Sequence, residues 1–231
     1  MQMQQIGRWV MALWLMAMTA LVHAENDPRQ VVMDAVNRMT QRIDANRDAL
    51  KKDPEKARQL VREELVGLVD FKRITRMVMG DYFNQASRDQ KYHFLDVFKN
   101  SLIDTYASGV TLYEGQKIKT LPMQKGDRRG DYARVRMEMT TNTGKVVPIF
   151  YTLHLNDDQW QVINVYVNGL DLRDTYRAQF QQGMQQYNND IDQVIAHWSA
   201  DANIDTGIKD KDSPAPKGDK TTVDDGGHAQ S

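Results

Sequence analysis

Few residues of this 231-residue chain have the types and spacing that chemistry requires. Beyond residue 24 the histidines are His93, His154, His197 and His228, and no two stand at the spacing of a metal site. His93 falls on a helical pattern and His154 alternates with Leu153 and Leu155 on a strand pattern, so surface or boundary roles fit both. The acidic neighbours Glu63-Glu64, Asp157-Asp158 and Asp224-Asp225 would do acid–base work only from a shared pocket. They fall instead on a helix surface, in a turn and in a polar stretch near the C-terminus. No cysteine occurs, which removes thiol nucleophiles, disulfides and cysteine metal sites. No HExxH, nucleophile elbow, glycine-rich phosphate loop or EF-hand pattern is present. The chain therefore reads as a non-enzyme without a cofactor or metal, whose activity must come from shape and apolar surface.

Apolar surface is what the sequence supplies. Phe94, Phe98, Leu102 and Tyr106 recur every four residues as an aromatic-rich helix stripe, and Leu172, Tyr176, Phe180 and Met184 repeat the spacing further on. Between them, Val135, Met137 and Met139 and then Ile149, Tyr151 and Leu153 alternate with polar residues as one face of two strands. Such faces either pack into a solid core or, held apart, line a cavity for an apolar ligand. Periodicity alone favours the solid core, because every globular domain has such stripes. Flexible methionine side chains suit a cavity and a core equally.

The elements that position these faces are legible from end signals. Asp27-Pro28 places a capping residue before a proline and opens a helix carrying Val31, Val32, Ala35, Val36, Met39 and Ile43. Asp53-Pro54 repeats the device for a helix with Leu60, Val61, Leu65 and Leu68. A short basic helix from Asp70, a glycine turn at Gly80 and a Ser87/Gln90 capping box lead into the long aromatic helix. The alternation then predicts strands over 132–139, 147–155 and 160–167, joined by turns at Asn142-Thr143-Gly144 and Asn156-Asp157-Asp158, with a further short strand over 117–121. Helices follow Gly169 and surround Ile191, Val194, Ile195 and Trp198. Strands flanked by runs of helices predict an α+β domain over 25–200, with helices packed on one face of a curved antiparallel sheet.

The two ends read differently. Arg8, the apolar run from Trp9 to Val22 and the small residues before Glu25 predict a signal peptide over 1–24, cleaved after Ala24. The run is shorter than the roughly twenty residues of a membrane span. Residues 201–231 are rich in Asp, Lys, Gly and Pro with little to bury, which predicts a disordered polar tail. With 30 basic and 31 acidic residues there is no electrostatic case for nucleic acid.

The run DFKRITRMVMGDYFNQASRDQKYHFLDVFKNSLIDTYA over 70–107, with WQVINVYVNGLDLRDTYRAQF over 160–180, resembles the MlaC family of periplasmic phospholipid-binding proteins, also called the toluene-tolerance family. The resemblance extends from about Pro28 to about Trp198 and rests on the order and spacing of residues such as Asp70, Phe71, Ile74, Arg76, Gly80, Tyr82, Gln90, Phe94, Phe98, Tyr151, Trp160, Gly169 and Tyr176. Two positions depart from it: Asn164 and Asn168 stand where the family often has acids. The resemblance implies a deep apolar pocket between helix layer and sheet that takes acyl tails. Its lining would be Phe71, Ile74, Phe94, Phe98, Leu102, Tyr106, Val135, Met137, Met139, Ile149, Tyr151, Leu153, Val165, Leu172, Tyr176 and Phe180. It further implies a periplasmic carrier that shuttles phospholipid between an outer-membrane lipoprotein complex and an inner-membrane ABC transporter with its substrate-binding subunits, maintaining outer-membrane lipid asymmetry. Two alternatives stand beside it, a carrier of another apolar lipid such as a hopanoid and a solid-core adaptor that binds only proteins.

Overall fold

The computed structural model describes residues 27–200; the expected signal peptide and polar tail lie outside the described residues. Helix α1 (Pro28–Lys52) begins where Asp27 accepts a hydrogen bond from the Arg29 amide at 2.9 Å, and it kinks at Asn46, whose side chain donates to the Arg42 carbonyl. Helix α2 (Pro54–Leu68) repeats the start, with the Asp53 carboxylate accepting from Glu55 and Lys56. Helix α3 (Phe71–Met79) is capped by Asp70, and a short helix α4 (Tyr82–Gln85) follows Gly80. Helix α5 (Arg88–Thr111) starts on the full capping box: Gln90 N–H donates to Ser87 Oγ at 3.1 Å and the Ser87 amide donates to Gln90 Oε1 at 2.9 Å.

The strands are β1 (Lys117–Thr120), β2 (Arg128–Arg129), β3 (Tyr132–Thr140), β4 (Val146–Asn156), β5 (Gln159–Val167) and β6 (Leu170–Asp171), followed by α6 (Leu172–Gln186) and α7 (Ile191–Ala196). They form one antiparallel sheet in the order β1-β3-β4-β5-β6, with β2 paired to β3. The β4–β5 hairpin closes through Asp157 and Asp158, both at positive φ, a turn whose twist matches that of the strands it joins. The α+β architecture and the main strands are as expected from the sequence; α4, β2 and β6 are too short to leave a periodic signal.

One irregularity decides which side chains face inward. The β4–β5 register shifts between Thr152 and Leu153, so that Tyr151 pairs with Val165 while Leu153 pairs with Val162. Ile163 is the extra residue of a bulge, and Val162 and Val165, three positions apart, share a face that strict alternation would deny them. The outer edge of β5 is closed by Val69, which bridges to Val162, and by the Asp70 amide, which donates to the Val162 carbonyl at 3.0 Å.

Asn164 explains one of the two departures noted above. It is buried, and its amide group donates to both carboxylate oxygens of Asp171 at 2.9 and 3.0 Å while its oxygen accepts from the Val165 and Arg173 amides. Asp171 also accepts from the Asp174 amide and so starts α6. Burial alone would raise its carboxyl, but the Asp174 amide, Asn164, Tyr166 and Arg173 together hold it below the usual value. Its stabilisation is therefore present above the ordinary carboxylate range and lost as pH falls through its depressed pKa. In Asn164→Asp a second carboxylate would stand within hydrogen-bond distance of the first, and one of them would keep its proton to a raised pKa. We expect this variant to lose about 2 kcal/mol in urea unfolding at neutral pH. The deficit should shrink below the carboxylate range, and a pH-independent deficit would disprove the like-charge account.

Candidate functional site

The apolar residues named from the sequence divide into two groups. Phe94, Phe98, Phe180, Val135 and Leu153 are completely or almost completely buried. The aromatic stripe of α5 meets that of α6 in a solid cluster, with Phe94 4.9 Å from Phe180, Phe98 5.5 Å from Tyr176, and Phe94 edge-on to Trp198 at 5.0 Å. Phe71, Ile74, Leu102, Met137, Ile149, Leu172 and Tyr176 are buried in the same core. Of the four others, Tyr106 is exposed, while Met139, Tyr151 and Val165 are partly buried against the same core.

Tyr151 and Val165 are directly opposite each other across β4 and β5, on the inward face that also carries Leu153 and Val162. β4 is flanked on both sides by strands, so an inward side chain at its middle should be the best covered in the sheet. Tyr151 is only partly buried instead. Tyr106 on α5 leaves 42% of its surface open. Burial pushes the phenols of both tyrosines up, and Tyr106 adds to the effect on Tyr151. Tyr106 thus combines an accessible surface with a phenol set among protein atoms, unlike the filled positions of the same stripe. The buried apolar residues form two clusters: one joins the sheet to α3, α6, α7, the first half of α5 and, through Val32, the start of α1; the other joins the later part of α1, α2 and the second half of α5. Leu102 belongs to the first and Ile103 and Ala107 to the second, and Leu65 of α2 packs against both.

The titratable residues considered from the sequence are occupied structurally. Arg42 of α1 takes both Glu63, at 2.6 Å, and the buried Glu64, at 2.9 Å, and holds the Glu63 carboxyl below its usual range. His154 packs edge-on to Tyr132, and His197 stacks on Tyr187. Among the described residues no group of His, Asp and Glu is arranged to hold a metal ion, and no helix is long and apolar enough to cross a membrane.

One surface feature has no counterpart in the sequence reading beyond the remark that α3 is basic. A depression of about 910 Å³ lies against α3 and α6 and carries Lys72, Arg73, Arg76, Arg173 and Arg177. The i,i+4 spacings 72/76 and 173/177 signal one-sided faces on each helix, but only the packing of α3 beside α6 brings the two together.

Comparison with known proteins agrees with this architecture. The family model described as MlaC protein matches residues 33–200. The toluene tolerance protein ttg2D of Pseudomonas putida is 31% identical over 188 residues, covering 81% of this chain and 86% of the relative. The intermembrane phospholipid transport system binding protein MlaC of Haemophilus influenzae is 26% identical, covering 77% of this chain and 86% of the relative. A phospholipid-binding protein from Ralstonia solanacearum, solved in complex with a phospholipid, superposes with a TM-score of 0.66 at 27% identity, covering 74% of this chain and 93% of that one.

The division into solid and open residues has a stability signature. Phe98→Ala should cost about 3–5 kcal/mol in urea unfolding, as expected for a filled core position. Tyr106→Ala should cost less than about 1.5 kcal/mol, because 42% of the residue's surface is already exposed. Equal losses would show that Tyr106 is packed like Phe98.

Proposed function

This chain belongs to the MlaC family, and from that premise we propose that it is a periplasmic phospholipid carrier. The acyl tails occupy the space between the α1/α2/α5 layer and the sheet. The observation that carries this reading is the division of the buried apolar residues into two clusters, with Tyr106 exposed on the α5 face whose Phe98 and Leu102 are buried, and Tyr151 only partly covered on the sheet. The tails pass between helix layer and sheet beside these tyrosines and Val165 and Met139, with the aromatic cluster around Phe94 and Phe98 as a rigid end wall rather than as lining.

The energetics set what the pocket must achieve. A two-chain phospholipid carries about thirty methylenes, each stabilised by about 0.8 kcal/mol out of water, so bare tails in the periplasm would cost roughly 20 kcal/mol. The carrier must cover nearly all of them, which demands a cavity toward the upper end of the roughly 300–1,000 Å³ range of ligand sites. Transfer from bilayer to pocket exchanges one apolar surrounding for another and is near balance. Direction must therefore come from the partners: an outer-membrane lipoprotein complex at one end, and an inner-membrane ABC transporter with its substrate-binding subunits, where ATP is spent, at the other. On this reading the signal peptide over 1–24 exports the chain, and its work maintains the lipid asymmetry of the outer membrane.

Native mass spectrometry with lipid extraction, on protein purified from a bacterial periplasm without detergent, tests the proposal. We expect a stoichiometric adduct that resolves into phospholipid species, and its loss in Tyr151→Glu, which places a charge in the apolar space, with the fold retained by circular dichroism. A clean apo mass after incubation with phospholipid vesicles would refute the carrier. A folded Tyr151→Glu protein that keeps its lipid would refute the location of the tails.

A further inference from the structure

The cationic depression on α3 and α6 lies apart from the apolar space, and none of the residues that line it belongs to the tail site. Five cationic side chains meet only two carboxylates there, Asp70 and Asp174, in a chain whose overall charge is −1. The two acids are already engaged: Asp70 pairs with Arg73 at 3.7 Å and Asp174 with Arg173 at 3.3 Å. Lys72, Arg76 and Arg177 have no carboxylate of a described residue within ion-pairing distance.

Arg76 and Arg177, though exposed, each lie against a specific neighbour in the fold. The Arg177 guanidinium lies over Gly80, where an added Cβ would meet it at 3.1 Å, so the absence of a side chain at Gly80 makes room for it. Arg76 stands 5.4 Å over the Phe83 ring, and Lys91 stands 4.7 Å from the centre of the same ring. Phe83 and Lys72 are shared with a smaller depression of about 340 Å³, which adds Lys91 and Arg88. The two recesses make one elongated cationic track with Met77 and Phe83 as apolar footing.

We propose that this track is the docking site for an acidic segment of a partner protein. Four of the five cations in the larger recess are arginines, whose planar forks suit carboxylates held in pairs. The track is a recess, and a flat anionic bilayer would reach only the side chains at its rim. It is also long enough to ask for several carboxylates in sequence, with an apolar side chain between them for the Met77 and Phe83 footing. Charge complementarity of this kind sets encounter rate and partner choice more than it sets affinity, which suits a protein that must dock and leave.

The test is fluorescence anisotropy of a fluorescein-labelled peptide of repeated Glu-Glu-Leu with the full mature chain. The peptide should bind, and binding should weaken as salt is raised. Arg76→Glu combined with Arg177→Glu, both exposed positions, should weaken it by about tenfold or more. Lys117→Glu combined with Lys119→Glu, on the edge strand β1, should leave it within about twofold. Thermal unfolding of both variants checks that each remains folded, and the lipid content of the arginine variant should equal that of the wild type, so failure of docking and failure of carriage are separable. Equal weakening by the two pairs would overturn the proposal, because it would reduce to the general field of the protein. So would absence of peptide binding, or binding through Arg76 and Arg177 to phosphatidylglycerol vesicles but not to the peptide.

Discussion

Helix α5 is anchored in two different cores, and the rest of the architecture depends on that division. Its first half carries Phe94, Phe98 and Leu102 into the sheet-side cluster; its second half carries Ile103, Ala107 and Val110 against α1 and α2. A helix fixed at both ends by separate apolar clusters cannot tilt without unpacking one of them. Any tilt toward the sheet would separate rings already in contact around Phe94. With acyl tails beside Tyr106, as proposed, the solid part of the core is their spacer.

The spacer is aromatic for a physical reason. Phe94, Phe98, Tyr176, Phe180 and Trp198 meet one another at ring separations between 4.9 and 6.4 Å, in tilted and edge-on arrangements that rings favour over face-to-face stacking. Flat, stiff side chains interlocked in this way resist compression better than the same volume of flexible aliphatic chain. Met139, only partly buried at the margin of this core, has the more flexible side chain.

Local chemistry was legible in the sequence and long-range placement was not. The Asp27-Pro28 and Asp53-Pro54 starts, the Ser87/Gln90 box and the turns at 142–144 and 156–158 form as local residue types dictate, because each is satisfied within a few residues of chain. The fate of a stripe is different. Phe98, Leu102 and Tyr106 share one helical face by spacing, yet the first two are buried and the third is open, since what lies opposite each is set by elements distant in sequence. The bulge at Ile163 is equally silent in sequence: alternation would send Val162 and Val165 to opposite faces, and the register shift puts both inside. Asn164 reads locally as a substitution for an acid and only the fold shows its partner, the Asp171 carboxylate that starts α6.

Charge follows the same rule. An overall charge of −1 gives no hint of an electrostatic surface, because composition averages over positions that the fold separates. Glu63 and Glu64 of α2 are consumed by Arg38 and Arg42 of α1, and the carboxylates around α3 and α6 largely serve as caps, as Asp70 and Asp171 do. A capping carboxylate has its lone pairs committed to backbone amides at a helix start, which leaves it a weaker neutraliser for the cations further along the same helix. α3 and α6 both begin on an aspartate and carry arginines a turn or more downstream, so laying them side by side gathers surplus positive charge on one face without any excess in the chain as a whole. α3 and α6 pack their apolar sides into the sheet-side cluster, and their other sides are left to face outward together.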